Sequence, residues 1–132
     1  NGGAVGQTMV SVAASKASLA PGVIFAKGIL CNILVCLAVW IGFAGRSVVD
    51  KVLGIFLPIT AFVACGFEHC VANMFFLPSG LLMNALGVGA PGAVTFGGVV
   101  GNILIATLGN IVGGVAVGVA YWFAYRSREA NA

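Results

Sequence analysis

Charge is what this sequence has least of: six basic and three acidic residues in 132 positions, against roughly a quarter of residues in an ordinary soluble domain. Such a chain cannot cover itself with a water-facing surface. The acids are Asp50, Glu68 and Glu129, and one histidine, His69, stands with them. That is too little for a defensible nucleophile–base arrangement or metal-ligand set, so the reading is not an enzyme, with no metal and no cofactor. Cys31, Cys36, Cys65 and Cys70 form no C-x-x-C pair and lie in or beside apolar runs, where cysteine behaves as a small hydrophobe. Lys16, Lys27, Arg46, Lys51, Arg126 and Arg128 are scattered, and a chain without a basic stripe is no nucleic-acid binder. No signal peptide is visible in Asn1–Thr8, which has neither a basic segment nor an apolar core. Starting on Asn1 and entering its first apolar stretch directly, the chain reads as a piece of something longer.

What is present is apolar: 61% of the residues. A bilayer-crossing helix takes about 20 such residues, which leaves room for about three crossings in one membrane unit. The expected architecture is an all-α integral membrane protein, its spans at 23–44, 52–77 and 99–125, with 1–22 a loop and the segment before it. Lys27 lies close enough to the start of the first span to snorkel to the interface. The second span is interrupted by Gly66-Phe67-Glu68-His69, making one broken helix. Tyr121, Trp122 and Tyr125 form an interfacial belt before Arg126 in the third.

Basic residues gather on the cytoplasmic side of membrane proteins. Arg46 and Lys51 between spans one and two, and Arg126 and Arg128 after span three, therefore predict a cytoplasmic C-terminus. The loop 78–98 has no ionisable side chain and is expected to face outward. Gly109/Gly113 and Gly114/Gly118 recur at four-residue intervals, a spacing that lets helix backbones approach. For Gly114/Gly118 ordinary helix packing is the expectation.

Ionisable groups at membrane depth are expensive and usually face a cavity or bundle interior. Gly66, Glu68, His69 and Asn73 concentrate a flexible point, two titratable groups and an amide in one short segment, the strongest functional signal in the chain. His69 reads as functional. Glu68 reads as a structural polar group capping N–H groups freed by the helix break, since neighbouring helical residues point about 100° apart. Asn32, Asn102 and Asn110 add amides that either tie helices together or face a permeation path.

Two strings carry a resemblance. Gly66-Phe67-Glu68-His69-Cys70-Val71-Ala72-Asn73-Met74-Phe75-Phe76 and Thr107-Leu108-Gly109-Asn110-Ile111-Val112-Gly113-Gly114 resemble signatures of the formate/nitrite transporter family. Asn32–Trp40, with Gly45-Arg46-Ser47 after it, is similar to that family's fourth span and following loop. The resemblance runs from about Val10 to Arg126 and implies half of an aquaporin-like inverted-repeat fold, spans four to six. It also implies a homopentamer when full length, in the plasma (inner) membrane. By the same resemblance His69 is the central pore histidine and Lys16 raises the positive potential near the outer side. Asn32 and Asn110 match amides near the path, and Val35 and Phe62 line its constrictions. Cys70 stands where many relatives have serine and Ile105 where many have proline.

The function expected is transport of a small monovalent anion such as formate, nitrite or hydrosulfide. Lys16 attracts it, and His69 assists its passage as the neutral acid, because a bare charge dehydrates at great cost in an apolar pore. The partners are the lipid bilayer and that anion. A channel for a neutral or cationic solute such as ammonium, or a transport-inactive membrane fragment, is the competing expectation.

Overall fold

Pro21 separates the first two helices: its ring suits the first helical turn, and Ala20 before it is held extended at ψ 141°. The structure, a computed structural model, describes residues 3–129, with side chains from 3 to 126. Five helices follow in order: α1 (Ala4–Ala17), α2 (Pro21–Ala44), α3 (Val48–Ala64), α4 (Cys70–Ala85) and α5 (Phe96–Glu129).

Local chemistry sets the other boundaries. Ser47 and Asp50 form a reciprocal capping box at the start of α3, with Asp50 N–H donating to Ser47 Oγ at 3.1 Å and Ser47 N–H to Asp50 Oδ2 at 2.9 Å. Gly66, at φ 60°, ends α3 in a left-handed turn. Its N–H reaches Val63 O and the Phe67 N–H reaches Phe62 O, both at 3.0 Å, the paired bonds of a Schellman motif. α4 closes the same way on Gly87, with bonds from Gly87 to Asn84 O and from Val88 to Met83 O, both 3.1 Å. Thr95 starts α5, its hydroxyl accepting the Gly98 N–H at 3.1 Å.

Three expected boundaries shift. Residues 1–22, read as a loop and the segment before it, contain α1. Thr8, Ser11 and Ser15 dilute its apolar character, and it is held by packing Val10 and Ala13 against Leu77 of α4. The stretch expected over 52–77 is instead two helices from Val48 to Ala85 around residues 65–69. Each is shorter than the about 20 residues a crossing needs. The third runs from Phe96 to Glu129, a length of about 50 Å at 1.5 Å per residue. By length and composition α2 and Phe96–Arg126 of α5 are each able to cross a membrane.

α2 and α5 make the most extensive helix pair. A Cβ on Gly109 would stand 2.5 Å from Phe25 O, and one on Gly113 would collide with Ile29 O, so the two backbones touch there. Gly118, expected to pack in the same manner, faces open space. Small-residue spacing alone does not distinguish the contact face from a free one. On the other side α4 meets α1 through Gly80, which leaves room for Ala13 and the Met9 carbonyl. Four polar side chains, Glu68, Asn73, Asn102 and Asn110, are buried beside an apolar core, whereas α3 buries no residue at all and shows Val52, Phe56 and Val63 outward.

Candidate functional site

The polar interior is centred on the segment between α3 and α4. Glu68 is 1% exposed, and its carboxylate accepts three bonds: Lys16 Nζ on Oε1 at 2.8 Å, and on Oε2 the amides of Asn73 at 2.6 Å and Asn102 at 3.1 Å. Asn102 further donates to the Lys16 carbonyl at 3.0 Å and accepts from Asn73 at 2.8 Å. A lysine at the end of α1, the carboxylate of the break and amides from α4 and α5 thus form one network. The ion pair lies on a gradient of exposure, its lysine side chain 19% accessible and its glutamate 1%.

Glu68 was expected to cap the freed N–H groups of the break, and it does not. His69 does so: it is the N-cap of α4, its Nδ1 accepting the Val71 N–H at 3.2 Å. Asn110 accepts the Cys70 N–H on Oδ1 at 2.9 Å. A neutral imidazole that accepts on Nδ1 carries its proton on Nε2. The half-buried ring therefore presents an N–H on the side away from the helix it caps. Its neighbour is Phe62 of α3, ring centroids 5.7 Å apart.

Asn110 is a tie. Its Nδ2 donates to Gly28 O at 2.9 Å and to Glu68 O at 2.8 Å, joining α2, the break and α5. Both amide hydrogens are thereby occupied and the residue is 5% exposed, so the expectation of a donor held toward a passing solute is corrected for Asn110. Asn32 donates to the Asn110 carbonyl at 2.6 Å and is half-buried, with no bond from its second amide hydrogen among the described residues. Val35 lies one turn further along α2 and is also half-buried.

The structure thus brings together Lys16, Glu68 and Asn73 in one cluster, Asn32 and Asn110 in a second, and Phe62 and His69 in a third around the same break. Asn102, outside the expected site set, is central to the first. The sequence holds a signal for it: Asn102, Ala106, Gly109 and Gly113 follow helical spacing, and Ala106 and Asn102 are both buried.

Comparison with known proteins adds the family. The model of the formate/nitrite transporters matches residues 1–123. The chain belongs to the formate/nitrite transporter family. It is 42% identical over 121 residues to the uncharacterized transporter YrhG of Bacillus subtilis, covering 91% of this chain and 42% of that protein. It is 39% identical over 115 residues to the formate channel FocB of Escherichia coli, covering 77% and 41%. Among solved structures an FNT family ion channel superposes with a TM-score of 0.77 at 39% identity, over 89% of this chain and 45% of that one. The chain spans about two fifths of the length of these curated relatives. The family is one of integral membrane channels and transporters, not of enzymes.

Proposed function

We propose that this chain forms half of a pore for small monovalent anions, formate, nitrite and hydrosulfide being the class, with His69 as the group the permeating species meets at mid-membrane. The observation that carries this reading is the placement of His69. A titratable ring caps α4 at the break between two apolar helices, with its Nε2–H directed away from α4 and Phe62 beside it.

An anion in a narrow apolar passage needs a hydrogen-bond donor or a proton to replace its lost water. The Nε2–H of His69 is a donor in the neutral state, and imidazole titrates near physiological pH, so it can also pass a proton. Lys16 supplies attraction in a tempered form. Its charge is paired with Glu68, but the ammonium is the more accessible end, and the carboxylate is turned inward onto two amides. An approaching anion meets the positive end of that dipole. Asn32 adds a further donor, and Phe62 and Val35 constrict the path. Asn73 serves to hold Glu68. The three crossings, the C-terminus on the cytoplasmic side of the plasma (inner) membrane, and a homopentamer of complete protomers belong to the same proposal.

The test is uptake by liposomes holding the complete gene product, challenged with formate, nitrite, hydrosulfide and ammonium across a pH series. Saturable uptake of the anions, competed by one another and lost on His69→Phe, supports the pore. Uptake of ammonium with indifference to the anions overturns it.

A further inference from the structure

A groove between the C-terminal ends of α2 and α5 takes no part in the network around Glu68. It encloses about 780 Å³ and is walled on α2 by Cys36, Val39 and Phe43. Its floor is made by glycine. Gly114 and Gly118 both line it: a Cβ on Gly114 would stand 2.8 Å from Asn32 Nδ2, whereas one on Gly118 would meet nothing within 4 Å. The missing side chain at 118 therefore does not serve helix packing; it leaves an apolar slot open.

Toward its mouth the slot acquires a collar of amphipathic rings. Trp40 lies 4.3 Å from the ring centroid of Tyr121 and 5.8 Å from that of Tyr125. The guanidinium of Arg126 stands 4.8 Å from the Trp122 centroid, exposed at the end of the groove. Aromatic collars of this kind settle at the headgroup level of a bilayer, and basic groups between helices hold anionic headgroups. A hydrocarbon-lined slot, a ring of tyrosine and tryptophan and the guanidinium of Arg126 follow one another in the order of acyl chain, interface and phosphate. A free inorganic anion has no use for the slot, and a zwitterionic lipid brings its own cation to the arginine.

We propose that this groove binds one anionic phospholipid, an acyl chain lying over Gly118 and the phosphate against Arg126. The inference rests on the bilayer setting and is independent of what the pore conducts. Trp40 and Trp122, the two tryptophans of the sequence, both line the groove, so they report its occupant directly.

The complete gene product, keeping Trp40 and Trp122 as its only tryptophans, is reconstituted in phosphatidylcholine vesicles with rising fractions of phosphatidylglycerol or phosphatidylcholine brominated on the acyl chains, and tryptophan quenching is followed. Half-quenching is expected at an about fivefold lower fraction of brominated phosphatidylglycerol, the worth of one basic residue at an anionic surface. R126Q should abolish that preference, and Gly118→Phe, which fills the slot, should weaken quenching by both lipids. Equal quenching by the two headgroups, or a preference unchanged in R126Q, overturns the proposal. Absence of quenching in protein that floats with the vesicles also overturns it, because the slot is then filled by polypeptide. Failure to float strikes the bilayer setting itself and the proposal with it.

Discussion

Lys16 Nζ and Glu68 Oε1 meet at 2.8 Å across 52 residues of chain, the lysine at the end of α1 and the glutamate in the break between α3 and α4. Removing one partner of a buried pair strands the other charge and costs about 3–5 kcal/mol. Lys16→Met and Glu68→Gln should each lower thermal stability in detergent, followed by circular dichroism, and the double variant should recover much of the loss. Additive losses would place the two charges in separate environments. Any change in transport by Lys16 variants must be read beside this effect on stability.

The cap of α4 and the proposed contact with the permeating anion fall on one ring, that of His69, and they separate by substitution. Asparagine is a good N-cap that does not titrate, so His69→Asn should keep α4 capped while flattening the pH dependence of uptake. His69→Phe should lose the same pH dependence and in addition about 0.5–2 kcal/mol of stability through the missing cap. A pH profile that survives His69→Asn would take the imidazole out of the transport step.

Asn110→Leu removes the partner of Gly28 O, Glu68 O and the Cys70 N–H together. Each buried polar group so stranded costs about 1–3 kcal/mol. The variant should fail to yield stable protein on size-exclusion chromatography, whereas Asn32→Leu, which loses a single bond to the Asn110 carbonyl, should yield it with reduced stability.

The glycines of α5 should divide sharply. Gly113→Ala drives a methyl into the Ile29 carbonyl and forces α2 and α5 apart, while Gly118→Ala meets nothing. Unfolding midpoints in denaturant should fall for the first by an amount typical of overpacking, about 1–3 kcal/mol. For the second they should hold or rise, as a helical glycine gives way to alanine. Equal effects at both positions would contradict the contact face.

Asp50 responds to acid. The backbone N–H and hydroxyl of Ser47, followed by the Arg46 N–H, hold its carboxyl below the usual carboxylate range. A depressed folded value means that the cap contributes fully at neutral pH and is lost as pH falls through that lowered range. The Asp50 carboxyl resonance should titrate below the ordinary position near 3.9, and the shift should shrink without vanishing in Ser47→Ala, which loses the hydroxyl and keeps both backbone N–H donors.

Much of the layout was legible in the chain itself. The apolar runs, the interruption at Gly66–His69 and the deep polar residues are one-dimensional features, and each has a counterpart in the helices described. Partners were not legible. Nothing local in Ala14-Ser15-Lys16-Ala17 says that Lys16 faces Glu68, since that pairing depends on α1 being a helix packed on α4. The capping expected of Glu68 fell to His69 for a similar reason. Which of two adjacent side chains reaches the freed N–H groups depends on how the chain enters α4, and His69, at φ −102° and ψ 114°, turns its ring back over Val71. Asn102 was underrated because an amide shows its value only when its neighbours are known.

The elbow between α3 and α4 is fastened at both ends. Gly66 and Phe67 are bonded back into α3, Cys70 is held by Asn110, and Asn110 also grips the Glu68 carbonyl. So stitched, residues 65–70 are a fixed bracket rather than a hinge.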